Sequence, residues 1–120
     1  MSLEHKIALV TGSSSGIGQG IALRLAQEGC DVCVNYFHDA SGGEETRQQI
    51  SKLGRKAISV HADVGQAGDM RDLVQRCVNE LGGLDIMVNN AGIEIKKPVT
   101  EITEQDWDLV INTNLKGVFF

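Results

Sequence analysis

The feature that most constrains this chain is an alternation of short apolar runs with helix-like stretches, repeated along its length without a linker. Lys6–Thr11 (KIALVT), Asp31–Asn35 (DVCVN), Lys56–Ala62 (KAISVHA) and Leu84–Val88 (LDIMV) have the length and β-branched content of buried strands. Helices are predicted at Ile17–Glu28 and Glu44–Leu53. A third follows from the stripe Met70, Leu73, Val74, Cys77, Val78 and Leu81, whose spacing puts six apolar side chains on one helical face. Gly29, Gly54 and Gly82–Gly83 stand where these helices should end. Beyond a loop through Lys96, Lys97 and Pro98, Thr103 can cap a further helix, with Glu104 and Asp106 in its first turn. Apolar strands joined through helices must run parallel, because each crossover returns the chain to the same end of the sheet. The expected class is α/β with a doubly wound parallel sheet.

The first strand-to-helix turn is Thr11–Gly18 (TGSSSGIG), with glycines at 12, 16 and 18. Gly12 permits a sharp exit from the strand. Gly16 lets the backbone approach a pyrophosphate, and Gly18 lets the helix lie close on the sheet. The N–H groups that open the helix near Ile17 have no partner within it and favour a negative charge. The hydroxyls of Ser13, Ser14 and Ser15 add donors. A glycine-rich segment can be a turn and nothing more. Its place between the first strand and the first helix of a βαβ unit is what favours phosphate binding. No Gly-Lys-Ser/Thr follows, which excludes a Walker-type loop. These features define a Rossmann-type sheet whose expected ligand is a dinucleotide.

An acid at the end of the second strand would bond the adenosine ribose and select NAD. This chain has Asn35-Tyr36-Phe37-His38 there, so Asn35 and Tyr36 are placed at the ribose. Asn35 does not repel a 2′-phosphate, and His38 is the one cationic candidate nearby. The expected cofactor is NADP or NAD, with a lean to NADP.

Composition narrows the function classes. Apolar residues make up 42% and charged residues 22%, which is ordinary for a globular domain. A net charge of −5 argues against nucleic acid or an anionic membrane surface as partner. No apolar run approaches the roughly 20 residues of a membrane span, and the opening MSLEHKIALVTG lacks a signal-peptide core. A cytoplasmic location is expected. Cys30 and Cys33 form a C-x-x-C at a strand entrance, where they would face opposite sides. They are expected to be small buried residues, not a redox or zinc pair. His5, His38 and His61 share no ligand spacing, so no metal is expected.

Four segments together, Thr11–Gly18 (TGSSSGIG), Asp63-Val64, Asn89–Gly92 (NNAG) and Ile111–Gly117 (INTNLKG), resemble the short-chain dehydrogenase/reductase family. In wording the chain is similar to glucose 1-dehydrogenases and 3-oxoacyl-carrier-protein reductases. The resemblance implies a hydride transfer between NAD(P) and an alcohol or carbonyl compound, in a parent that is commonly a homotetramer. It also implies that Asp63 bonds the adenine amino group with the Val64 backbone beside it, and that Asn90, Ala91 and Gly92 lie along the cofactor ribose. Asn89 is then the better candidate for tying strands together, because a buried amide needs partners. For Asp63 the alternative is an acid that starts the next turn.

Asn114 interrupts an otherwise apolar face formed by Trp107, Val110, Ile111 and Val118. An asparagine there can kink the helix or reach solvent. By the resemblance it holds a water that links the catalytic lysine to bulk solvent, and it is the one catalytic residue expected here. The family's Tyr-x-x-x-Lys is not matched: the sole tyrosine, Tyr36, has Ala40 four residues on. Residues 1–120 are therefore expected to be an NAD(P)-binding Rossmann domain, truncated after the fourth strand and following helix. The 120 residues alone are expected to be inactive, with LDIMV left as an apolar sheet edge. The alternative is a non-catalytic dinucleotide-binding fragment or one piece of a split protein.

Overall fold

The computed structural model describes residues 3–91. Its elements run β1 (Ile7–Val10), α1 (Gly16–Gln27), β2 (Asp31–Tyr36), α2 (Ala40–Lys52), β3 (Ala57–His61), α3 (Ala67–Leu81) and β4 (Ile86–Val88). The four strands form one parallel sheet in the order β3-β2-β1-β4. β1 therefore has β2 on one side and β4 on the other, and the chain changes winding direction there. That point is where open α/β sheets bind ligands. β4 lies at one end of the described sheet, with Met87 exposed. The helix expected from Thr103 lies outside the described residues, as do Gly92 and Asn114.

Strand alternation sorts the core into two layers. Ala8, Val10, Val32 and Val34 pack with Ala22 and Ala26 of α1 and Ile50 of α2. Leu9, Cys33 and Val60 face the opposite way, against Met70, Leu73 and Cys77 of α3. The stripe predicted for α3 thus supplies its buried face, although Val78 at the stripe's margin stays 39% exposed. Cys30 joins the first layer and Cys33 the second, so the C-x-x-C pair is split across the sheet. The neighbouring Cys77 thiol and burial together push the Cys33 thiol well above its ordinary range, which keeps it neutral. Among the described residues no His/Cys/Asp/Glu group is arranged to hold a metal, and no helix is long and apolar enough to cross a membrane.

Two boundaries differ from expectation by more than one residue. β4 begins at Ile86, not Leu84, because Asp85 already serves the neighbouring strand: its N–H donates to the Ile7 carbonyl (2.8 Å) and its Oδ2 accepts the Ile7 N–H (2.9 Å). α2 begins at Ala40, four residues before Glu44, and so includes Gly42 and Gly43. Glycine is a poor helix former, which hides this first turn from a propensity argument. Asp39 starts the helix by accepting the Gly42 N–H at 2.9 Å. The glycines are needed for closeness. A Cβ on Gly42 would lie 2.6 Å from the Ser14 carbonyl oxygen, and one on Gly43 would lie 2.7 Å from Ser59 Oγ and 2.8 Å from the Tyr36 ring.

In α1, Gly18 and Gly20 make a sharp contrast. A Cβ on Gly18 would collide with the Gly12 carbonyl oxygen and lie 2.5 Å from Asn90 Nδ2, whereas one on Gly20 would meet no atom within 4 Å. Gly18→Ala is expected to lower stability by about 1–3 kcal/mol through overpacking against backbone. Gly20→Ala should raise it by about 0.5–1 kcal/mol through helix propensity alone. Urea denaturation of the two variants measures both, and a loss at Gly20 equal to that at Gly18 would sink this account of the turn.

Candidate functional site

The carboxyl ends of the strands open into a cleft of about 290 Å³. Gly12, Ser14 and Ser15 line it from the first turn, Asn35 and the Phe37–Asp39 segment from β2, Ala62–Val64 from β3, and Asn90 and Ala91 from beyond β4. Four successive strand ends therefore converge on one opening at the switch point.

The glycine turn forms the floor. Gly12 (φ +63°) and Gly16 (φ +59°) are both left-handed, a conformation that side chains other than glycine rarely adopt. A Cβ on Gly12 would come within 2.9 Å of Ala91 Cα, so the first turn and the segment after β4 are pressed together. Ser15 is the N-cap of α1, yet its side chain makes no capping bond, and the first helical turn holds no acid. The helix N-terminus keeps donors and a positive dipole end available for an anion.

The three serines separate. Ser13 is fully buried and wholly engaged: its N–H donates to the Asn35 carbonyl (2.9 Å), its hydroxyl donates to the Val10 carbonyl (2.7 Å), and its Oγ accepts the Asn35 N–H (3.1 Å). It braces the turn and has no donor to spare, which corrects its expected role toward phosphate or ribose. Ser14 and Ser15 do line the cleft.

Asn35 is corrected in the same way. It is 2% exposed, and its carboxamide is spent on the main chain. Oδ1 accepts the Gly12 N–H (3.0 Å), while Nδ2 donates to the carbonyls of Val60 and Ala62, each at 3.3 Å. The residue reaches the cleft wall but joins β2 to the turn and to β3, instead of offering its amide to a ribose. Tyr36 turns its ring edge-on to His61, 5.6 Å between centroids, and does not line the cleft. Phe37, His38 and Asp39 occupy the expected ribose side in its place.

The strand tie expected of Asn89 is made by Asn90, which also lines the cleft. Asn90 Nδ2 donates to the carbonyls of Thr11 (3.3 Å) and Gly12 (3.2 Å), which makes it the strand tie, and Asn89 is exposed. Thr11 completes this junction. Its hydroxyl donates to the Val88 carbonyl (3.3 Å) and accepts the N–H groups of Asn90 and Ala91, both at 3.0 Å. Asp63 combines its two readings. It lines the cleft, and its Oδ1 accepts the Gly65 N–H at 2.9 Å, which starts the turn into α3. Val64 is buried beside it. Gly18 packs beneath the turn, while Gly16 and Ile17 lie outside the cleft wall, Ile17 being 78% exposed.

Sequence reasoning missed Thr46. This fully buried hydroxyl lies within 3.0 Å of the Ser13 and Gly42 carbonyls and accepts from Gln19 Nε2 at 3.0 Å, so one side chain links the turn, α1 and α2. A threonine among eight polar or charged neighbours in α2 gives no periodic signal, although its burial next to Gly42 and Gly43 follows once the helix start is known.

A parallel sheet with this order, and a glycine turn opening into a cleft at its switch point, defines a Rossmann-type α/β domain. The family model for short chain dehydrogenases matches residues 6–120, and the chain belongs to that family. It is 45% identical over 120 residues to the 2-dehydro-3-deoxy-D-gluconate 5-dehydrogenase of Escherichia coli, covering 99% of this chain and 46% of that protein. A hydroxynaphthalene reductase-like protein of Metarhizium brunneum is 43% identical over 119 residues, with 99% and 45% covered. Among solved structures, a short chain dehydrogenase from Burkholderia cenocepacia in complex with NADP is 41% identical. It matches with a TM-score of 0.96 over 99% of this chain and 49% of that one. The chain spans about half the length of the relatives it matches.

Replacing Asn35 by Asp tests the structural role assigned to it. The carboxylate would still accept from Gly12 but would face the Val60 and Ala62 carbonyls without donors. A loss of at least about 1–3 kcal/mol is expected at neutral pH. Burial against carbonyls raises the folded-state pKa of such an acid, so its charged form is the destabilising one. The deficit should be full above that raised pKa and shrink as pH falls through it. Urea midpoints of Asn35→Asp against the parent at pH 8 and pH 5 read this out, and an unchanged midpoint at both would refute the role.

Proposed function

We propose that the cleft binds a nicotinamide dinucleotide, NADP or NAD, and that the protein is an oxidoreductase acting on an alcohol or carbonyl compound such as a sugar or a 3-oxoacyl group. The observation that carries this reading is the pressed contact of Gly12 on Ala91 beside the uncapped N-terminus of α1. The turn carries no Cβ at Gly12 or Gly16, so an anion can approach its backbone there. A bound nicotinamide supplies the hydride chemistry, and the protein positions it.

In this reading Ser14, Ser15 and the uncapped N-terminus of α1, which Gly16, Ile17 and Gly18 open at the edge of the cleft, take the pyrophosphate. Asp63, whose Oδ2 keeps no partner among the described residues, takes the adenine amino group, with Val64 alongside. Ala91 and Gly92 border the ribose toward the nicotinamide, and Asn114 holds the water of a proton relay, as the family resemblance implies. Residues 1–120 act as one cofactor-binding domain, and the whole protein is placed in the cytoplasm as a homotetramer on the family's pattern.

Isothermal titration with NADP, NAD and ADP tests the binding reading. All three should bind. Asp63→Asn keeps an oxygen for the Gly65 N–H but presents an amide to the adenine, and it should weaken all three about three- to tenfold. Failure of the folded protein to bind any of them would remove the dinucleotide reading. Unchanged affinities in the variant would remove only the role of Asp63.

A further inference from the structure

Thr46 lies buried in α2, outside the cleft wall, and its hydroxyl has one proton to give. The oxygen already accepts from Gln19 Nε2 at 3.0 Å, which leaves the proton for a carbonyl. Two carbonyls lie within reach, those of Ser13 and Gly42, each at 3.0 Å. The Gly42 carbonyl belongs to α2, where the helix ladder serves it through the Thr46 N–H. The Ser13 carbonyl is part of a fully buried residue and has no other donor among the described residues. The proton therefore goes to Ser13, because a buried carbonyl without a donor keeps its full desolvation penalty. The consequence falls on the other side of the same peptide. A trans peptide points its N–H opposite to its carbonyl, so holding the Ser13 carbonyl against α2 turns the Ser14 N–H away from α2. No group among the described residues takes up that N–H, and Ser14 lines the cleft. The bonds that brace Ser13 use its N–H and its hydroxyl, and they leave the direction of this peptide to Thr46.

Resting on the dinucleotide reading above, we propose that Thr46 is a positioning residue for the pyrophosphate: it touches no ligand, and through the Ser13 carbonyl it aims the Ser14 N–H at the anion. Gln19 shares in this, since its amide comes from the first turns of α1 and fixes which way the Thr46 proton points. The helix that follows the glycine turn and the helix that lies beside it thus set the direction of one donor together. A backbone N–H facing a phosphate oxygen makes a charge-assisted hydrogen bond, and a donor held in place before the ligand arrives loses little on binding.

Thr46→Val keeps the shape of the side chain and removes the hydroxyl, whereas Thr46→Ser keeps the hydroxyl. Titration with ADP by calorimetry and with adenosine by nuclear magnetic resonance separates the pyrophosphate from the rest of the nucleotide. Thr46→Val should weaken ADP about five- to tenfold and leave adenosine within about twofold. Thr46→Ser should stay within about twofold of the parent for both. Unchanged ADP affinity in Thr46→Val overturns the assignment, as does a Thr46→Ser variant as weak as Thr46→Val. An equal loss for ADP and adenosine overturns it too, because that is the pattern of a domain that is only destabilised. If Thr46→Val does not fold, the parent decides: in isotope-labelled protein the Ser14 amide resonance should move on adding ADP and stay put on adding adenosine. A Ser14 amide indifferent to ADP overturns the assignment while leaving dinucleotide binding intact. A parent that binds neither ADP nor adenosine overturns the dinucleotide reading, and the role of Thr46 with it.

Discussion

The shape of the cleft depends on how one buried carboxamide is satisfied. Asn35 sits where the sheet gives out, at the point where the turn after β1, the end of β2 and the end of β3 must be held together with few ladder bonds left to do it. Its Oδ1 fixes the Gly12 N–H, and its Nδ2 fixes the last carbonyls of β3. Ser13 locks the same strand end from the other direction, through both its N–H and its hydroxyl. With these bonds made, Gly12 is delivered against Ala91, α1 starts with its donors open, and the floor of the cleft is a bare backbone. Buried polar groups placed this way are specific because each one left unpaired would cost more than it contributes when paired.

A second junction does for β1 and β4 what Asn35 does for β1, β2 and β3. Thr11 and Asn90 cross-link the two strand ends with side-chain bonds to Val88, Ala91, Thr11 and Gly12 main-chain groups. The polar residues of the site therefore fall into two populations. Those that build the opening (Thr11, Ser13, Asn35, Thr46 and Asn90) spend their hydrogen bonds inward, and those that can meet a ligand (Ser14, Ser15, His38 and Asp63) keep capacity facing outward.

Much of the fold was legible because it depends on period and punctuation. The stripe from Met70 to Leu81 has one geometric solution, and the glycine that ends it adopts φ +96°, as a helix stop requires. The splitting of Cys30 from Cys33 followed from the two-residue alternation of a strand. The location of the cleft was legible too, since Gly12, Asn35, Asp63, Val64, Asn90 and Ala91 all reach its wall. What sequence did not convey was which hydrogen bonds those residues had left. Ser13 and Ser14 are indistinguishable as neighbours in a serine run, as are Asn89 and Asn90 in a pair. Their division of labour is set by side-chain direction at a strand end, where regular alternation stops. The start of α2 was hidden for the opposite reason: a tertiary demand for close approach put two glycines where local propensity argues against a helix.

Those two glycines bear on how the domain holds together in time as well as in space. A helix whose first turn contains Ser41-Gly42-Gly43 has little tendency to form in isolation, since each glycine forfeits about 1 kcal/mol against alanine. Its order comes from the Asp39 cap, from the Thr46 hydroxyl against the Ser13 carbonyl, and from the fit of bare backbone onto Ser14 and Tyr36. The start of α2 and the glycine turn are therefore one cooperative unit. Local opening of either exposes the buried hydrogen bonds of the other.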